Sequence, residues 1–222
     1  MKTNEPLPPA GEAGSVPASS PDLRAARAAF ENDIRATILN EAAAVLRDEG
    51  PAAFTIRRIA AAVNASTKAV YTHFGNKDGL FDALYLQSFA DLTKAMQEQI
   101  DPGEPAASLL RVCHAYRDYA CAHPTRYNIM FGDLGRAYEA PLSSRRKAFE
   151  SFGVLREAVE ACLPPERSVE KTRITRLIWA TMHGVVSLEL RGLLGSSDEI
   201  GNVFDDAVTA ICLAWSLPLG RS

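Results

Sequence analysis

From Asp22 onward, apolar residues return every three or four positions, the periodicity of amphipathic helices, and no stretch alternates with period two for long enough to propose a strand. Asp22 can act as an N-cap and Gly50-Pro51 as a stop, so the first helix is expected from there to about Glu49. Ile34, Ile38, Leu39, Val45 and Leu46 form its stripe. Two short helices are predicted next. Thr55 caps the first, which holds Ile56, Ile59, Ala60 and Val63 on one face and leaves Arg57 and Arg58 outside. Asn64 suits the left-handed turn, Ser66 caps the second, and Val70 and Phe74 face inward at i, i+4. A longer helix is expected over Lys77 to Ile100, long enough at ~1.5 Å per residue to span roughly 36 Å. Further helices are predicted over Pro105–Ala122, Pro124–Phe131, Pro141–Leu163, Ser168–Leu194 and Glu199–Leu217, with Gly132 and Gly135 marking a loop.

These elements predict an all-α protein. Residues 1–21, rich in Pro, Ala, Ser and Gly, read as a disordered tail. Residues 22–85 form a three-helix head and residues 86–218 a helical body, and the boundary lies within the long helix that both share.

The segment from Phe54 to Lys77 has the layout of a helix-turn-helix, in which the second short helix lies in the DNA major groove. Thr67, Lys68, Tyr71, Thr72 and His73 can face outward on it. Lysine reaches phosphate or a guanine edge, threonine can touch a thymine methyl, and tyrosine and histidine reach phosphates. With Thr55, Arg57 and Ser66, and with Lys77 at the next helix start, they make the candidate DNA-binding set.

The formal net charge of −3 does not argue against this, because the charge is unevenly placed. Residues 50–80 carry +3, from Arg57, Arg58, Lys68 and Lys77 against Asp78, and the remainder carries −6. A basic head on an acidic body is the asymmetry expected of a DNA reader. No apolar run is long enough to span a membrane and no signal peptide is evident, so the cytoplasm is the expected location. Cys113, Cys121, Cys162 and Cys212 lie far apart and read as free thiols. The four histidines, His73, His114, His123 and His183, show no metal spacing, and no hydrolase, phosphate-loop or metalloprotease motif occurs. Neither enzyme activity, metal nor cofactor is expected. His114 and Asp118, four residues apart, read as a surface pair.

Thr55-Ile56-Arg57, Ile59-Ala60, Ser66, Val70-Tyr71, His73-Phe74, Lys77 and Leu80 resemble the N-terminal domain of tetracycline-repressor (TetR) family regulators. Asn64-Ala65 and Gly75-Asn76 depart from the family's usual turn residues but suit turns. The stretch from His123 to Phe131 and Trp179-Ala-Thr-Met-His183-Gly184 resemble the WHG-type C-terminal domain of that family. The resemblance implies a homodimer on a palindromic operator, most simply a repressor released by a small effector. A ligand-dependent activator, or a head that binds protein, is the alternative.

A homodimer fits the chemistry, since one helix-turn-helix makes few contacts and two-fold pairing doubles them at a spacing of about 34 Å. The last two helices carry the candidate interface, Ile174, Ile178 and Val185 on one and Phe204, Val208, Ile211 and Trp215 on the other. These stripes can alternatively face the chain's own core. Tyr116, Tyr127, Met130, Phe131, Phe152, Trp179 and His183 are the candidate ligand-binding set, since pockets are mostly apolar with a few orienting polar groups. No obvious Lys or Arg lies on the apolar faces, which points to an apolar or aromatic effector rather than a strongly anionic one.

Overall fold

The computed structural model describes residues 22–132, 138–195 and 197–219; the tail expected over 1–21 and the loop glycine Gly135 lie outside these. Among the described residues every regular element is helical. In chain order they are α1 (Leu23–Glu49), α2 (Ile56–Ala62), α3 (Thr67–Phe74), α4 (Lys77–Gln97), α5 (Pro105–Ala122), α6 (Pro124–Phe131), α7 (Leu142–Glu150), α8 (Gly153–Ala161), α9 (Lys171–Glu189) and α10 (Ser197–Ala214). The chain forms two compact units, one through Ala36 and one from Thr37. In the first, Asp22 Oδ1 accepts from the Arg24 amide at 3.0 Å and caps α1, and Arg27 pairs with Glu31 one turn on. The second holds the rest of α1 and all the other helices.

Local chemistry sets the turns around α2 and α3. The Thr55 hydroxyl accepts from the Arg58 amide and the Ser66 hydroxyl from the Ala69 amide, each at 3.2 Å, so each helix start is capped by its own sequence. Asn64 has φ 52°, with the Ala65 amide donating to the Ala60 carbonyl and the Asn64 amide to the Ala61 carbonyl. That pair of bonds is a Schellman stop, which requires a residue tolerant of the left-handed region. Gly75, at φ 75°, closes α3, and Asn76 Oδ1 caps α4 through the Gly79 amide at 2.7 Å.

Gly79 is needed for a different reason. A Cβ there would stand 2.1 Å from the Phe74 carbonyl oxygen, a backbone atom that cannot swing aside. Gly79→Ala is therefore expected to lose stability by about 1–3 kcal/mol, as overpacking does, despite the roughly 1 kcal/mol of helix propensity that alanine adds. A lowered urea midpoint checks this; an unchanged one contradicts it.

Four of the expected helices have other bounds, and the last of them, expected over Glu199–Leu217, runs Ser197–Ala214. The long helix ends at Gln97 rather than Ile100, because the chain turns so that the Asp101 amide donates to the Ser108 hydroxyl at 2.8 Å. The single helix expected over Pro141–Leu163 is two. At the junction the Ser151 and Phe152 amides bond three residues back, the Ser151 hydroxyl donates to the Ala148 carbonyl, and Gly153 comes next. The helix expected over Ser168–Leu194 begins at Lys171, after a 3-10 segment over Pro165–Glu170, and ends at Glu189 before Gly192 at φ 67°.

The body packs α5 against α4 and α8, and α9 against α8 and α10. Its core includes Leu92, Met96, Leu109, Val112, Tyr116, Leu155, Val159, Ile178, Met182 and Phe204, all nearly inaccessible. Arg117 clamps Glu189 through two hydrogen bonds of 2.8 and 2.7 Å, fixing the end of α9 to α5.

Candidate functional site

α3 offers a polar face on an apolar base. Val70 and Phe74 are buried, while Thr67, Lys68, Tyr71 and Thr72 are exposed, Tyr71 by 50%. The Thr72 hydroxyl donates to the Lys68 carbonyl at 2.9 Å, which holds it against its own helix. His73 is half-buried, its ring tilted against Phe74. Thr55 and Ser66 use their hydroxyl oxygens as caps and keep their hydroxyl protons to donate elsewhere. Arg58 is clamped to Glu49 at the end of α1, whereas Arg57 and Lys68 make no ion pair among the described residues. Lys77 sits in the first turn of α4, its ammonium 5.9 Å from the Phe54 ring centre.

The predicted ligand set gathers around His183. Tyr127 Oη lies 2.7 Å and Tyr116 Oη 3.3 Å from His183 Nδ1, and the two hydroxyls are 3.2 Å apart. A tyrosine proton donated to Nδ1 requires the neutral imidazole with its proton on Nε2. Phe131 meets His183 edge-on at 5.0 Å, and Phe152 and Trp179 are 4.6 Å apart. Phe152 and Trp179 line a cavity of about 360 Å³ with Phe149, Arg156, Thr172 and Arg176. Tyr127, Phe131 and His183 line a second of about 190 Å³, with Asn128, Ser187 and Arg191. Tyr116 and Met130 line neither; both are buried in the core. The Trp179 indole N–H is buried without a hydrogen-bond acceptor among the described residues.

Two expectations need correction. Arg156 and Arg176 do border the apolar faces, contrary to the absence of basic side chains there. They sit on the flanks of the apolar stripes of α8 and α9. Helical spacing does carry the signal, since Arg156 is one turn beyond Phe152 and Arg176 one turn before Trp179. Secondly, Ile174, Ile178, Phe204 and Val208 are at most 3% exposed and belong to the chain's own core, so they have no surface left for a partner. Leu188 and Val203 remain about two-fifths exposed on α9 and α10, and Val185, Ile211 and Trp215 are partly buried, Trp215 under the Arg173 guanidinium at 5.0 Å.

Burial holds the His183 imidazole below its ordinary pKa, and the charge of Arg191 adds to this. The unfolded chain takes up a proton near pH 6.5 that the folded chain refuses until lower pH. The stabilising effect of neutral His183 is thus complete above that pH and is lost as pH falls. Denaturation midpoints are expected to drop between about pH 7 and 5.5, and to drop less in His183→Gln. Equal slopes in both proteins would contradict the assignment. The same burial pushes the Tyr127 phenol up to about 12.

All four cysteines are free thiols, and Cys113, Cys162 and Cys212 are buried. Cys121 is exposed, yet desolvation and the Glu189 carboxylate push its thiol up to about 11, away from a reactive thiolate. His114 faces Asp205 on α10 at 3.5 Å rather than Asp118. No group of metal-ligating side chains occurs among the described residues, and none of their helices is long and apolar enough to cross a membrane.

Residues 38–84 match the family profile described as bacterial regulatory proteins, tetR family, and residues 109–211 match the tetracyclin repressor-like C-terminal domain. The HTH-type transcriptional regulator Rv1816 of Mycobacterium tuberculosis (strain ATCC 25618 / H37Rv) is 24% identical over 205 residues, covering 78% of this chain and 88% of its own. A protein with unknown function from Rhodococcus sp. RHA1 shares the fold at a TM-score of 0.67 and 22% identity, over 81% of this chain and 94% of that one. The TetR family transcriptional regulator PfmR from Thermus thermophilus does so at 0.58 and 19%, over 83% and 99%. The two profiles together span most of the chain, at the helix-turn-helix and at the body that holds the cavities, and the protein belongs to the TetR family of DNA-binding transcriptional regulators.

Proposed function

We propose that this regulator is a cytoplasmic homodimeric repressor, released from a palindromic operator by a small, mainly apolar or aromatic effector. The observation that carries the DNA-reading part is the exposed face of α3, where Thr67, Lys68 and Tyr71 stand clear of the helix base formed by Val70 and Phe74. Thr55, Arg57, Ser66 and Lys77 flank that face and serve the phosphates; Thr72 and His73 are supporting contacts. The exposed apolar positions on α9 and α10 are the dimer surface, with Leu188 and Val203 joining Val185, Ile211 and Trp215.

The effector occupies the aromatic cavities around Phe152, Trp179, Phe131 and His183. Its signal has a short path to the head. Arg126 on α6 adjoins Tyr127, and its guanidinium donates to Asp91 on α4 at 2.9 Å and to Asn40 on α1 at 2.7 Å. An effector that displaces α6 acts through this one side chain on both helices, shifts α4 and changes the separation of the two heads. A coupling of about 1–3 kcal/mol lowers operator affinity roughly 5- to 150-fold.

Gel shifts of the full-length protein on DNA flanking its own gene test the reading. Several phosphate contacts per subunit predict an affinity that falls by about 1,000-fold or more between about 50 and 200 mM salt. Salt-independent binding, or none at low salt, contradicts it.

A further inference from the structure

We infer that the ligand of the larger cavity is an amphipathic anion: an aromatic or apolar body seated on Phe149, Phe152 and Trp179, with a carboxylate or phosphate held by Arg156 and Arg176. This rests on the proposed effector reading and specifies the chemistry of that site.

Two guanidinium groups set into an otherwise mainly aromatic lining mark the site. Among the body's other arginines, Arg111 meets Glu104, Arg117 Glu189, Arg126 Asp91 and Arg167 Glu170, while Arg145, Arg146, Arg173 and Arg191 make no ion pair among the described residues; Arg156 and Arg176 differ in bordering one aromatic cavity together. Arg156 and Arg176 form no ion pair among the described residues, although the chain as a whole is acidic. Glu160, one turn along the same helix, feels the charge of Arg156, but its carboxylate is hydrogen-bonded to Lys171 and Ser168 instead. Guanidinium stays charged at any physiological pH and presents several donors in a plane suited to carboxylate or phosphate oxygens. One guanidinium comes from α8 and the other from α9, so a single anionic group between them bridges the two helices that form the cavity walls.

The cavity's size and lining supply the other half. About 360 Å³ lies at the small end of ligand pockets, room for a fused ring or a short chain. Phe152 and Trp179, 4.6 Å apart, form an apolar wall beside the charges, and a neighbouring low-dielectric surface strengthens an ion pair relative to open water. A cationic ligand is repelled by both arginines. A neutral one leaves them merely hydrated and gains nothing from them.

Calorimetric titration of the full-length protein with naphthoate, naphthyl phosphate, naphthylmethanol and naphthylmethylamine tests this on one ring system. At least one anion is expected to bind roughly tenfold or more tightly than the alcohol, as charge-assisted bonds imply, with the amine weakest; which anion wins identifies the head group. Arg156→Gln and Arg176→Gln, both at exposed positions outside the core, should each reduce the preference and together remove it. The proposal is overturned if the alcohol or amine matches both anions, if the preference survives the double substitution, or if none binds saturably up to about 1 mM. Operator release is read separately by gel shift. Anion binding with the expected preference but no release supports the ligand assignment and removes the effector reading. Release by the alcohol without any anion preference overturns the assignment and leaves that reading standing.

Discussion

Operator affinity is expected to fall by about 1,000-fold when Lys68 and Tyr71 are both replaced by alanine, with the fold unchanged. Both side chains are exposed on α3, and neither makes an ion pair or hydrogen bond to the rest of the described chain. Removing two contacts from each of two subunits, at roughly 1 kcal/mol apiece, costs about 4 kcal/mol, close to three decades of affinity. Alanine is the better helix former at both positions, so the thermal midpoint should hold or rise slightly. A gel shift or anisotropy titration reads the first quantity and a melt the second. Retained affinity would move the DNA-reading surface off α3, whereas a lowered midpoint would show that these residues brace the head.

The other large effect is expected at Gly184. On α9, Leu177, Thr181, Gly184, Val185 and Leu188 lie along one strip that is not fully covered by the chain itself. On α10, Val203, Ala207, Ala210 and Ile211 do the same. A Cβ added at Gly184 meets nothing within 4 Å in its own chain, so Gly184→Glu leaves the monomer intact and gains helix propensity. Across a two-fold interface the same change buries two carboxylates near one another without partners, which costs several kcal/mol. Sedimentation or light scattering should therefore find a folded monomer, and operator binding should drop at least about 100-fold because the two heads no longer bind as one unit. A dimer that persists with wild-type affinity would place the interface elsewhere.

The head was more legible in the sequence than the body, for a physical reason. Its turns are made by residues whose backbone preferences are local: Thr55 and Ser66 as caps, Asn64 in the left-handed region, Gly75 and Asn76 closing one helix and opening the next. Those positions follow from the chemistry of the residue itself. In the body, periodicity identified the apolar residues of α9 and α10 but not which neighbour each faces, because both helices are apolar over more than one face. Ile174, Ile178, Phe204 and Val208 thus looked equally fit for a partner and for the chain's own core, and packing decided. The break between α7 and α8 was hidden for a related reason. Ser151, Phe152 and Gly153 are acceptable in a helix, and only the observed packing turns Phe152 onto Trp179 and opens the cavity. Arg156 and Arg176 were visible as residues, but their role required knowing that α8 and α9 set both beside one aromatic cavity.

Arg126 illustrates the remaining gap. It stands in a stretch that resembles the family's C-terminal domain, yet nothing in the sequence pairs it with Asp91, 35 positions away, and Asn40, 86 away. Such long-range polar contacts depend on how α6 is laid across α4 and α1. They are also where an effector site and a DNA-reading head exchange free energy in the proposed mechanism.

In the proposed function α3 reads DNA twice, from a symmetric pair. Selecting duplexes from a random pool with the full-length protein tests it most directly. An inverted repeat is predicted, with half-site centres about one helical turn, or a small multiple of it, apart, and the Lys68→Ala/Tyr71→Ala protein should fail to enrich it. A single unrepeated motif, or the same repeat recovered by that variant, would contradict it.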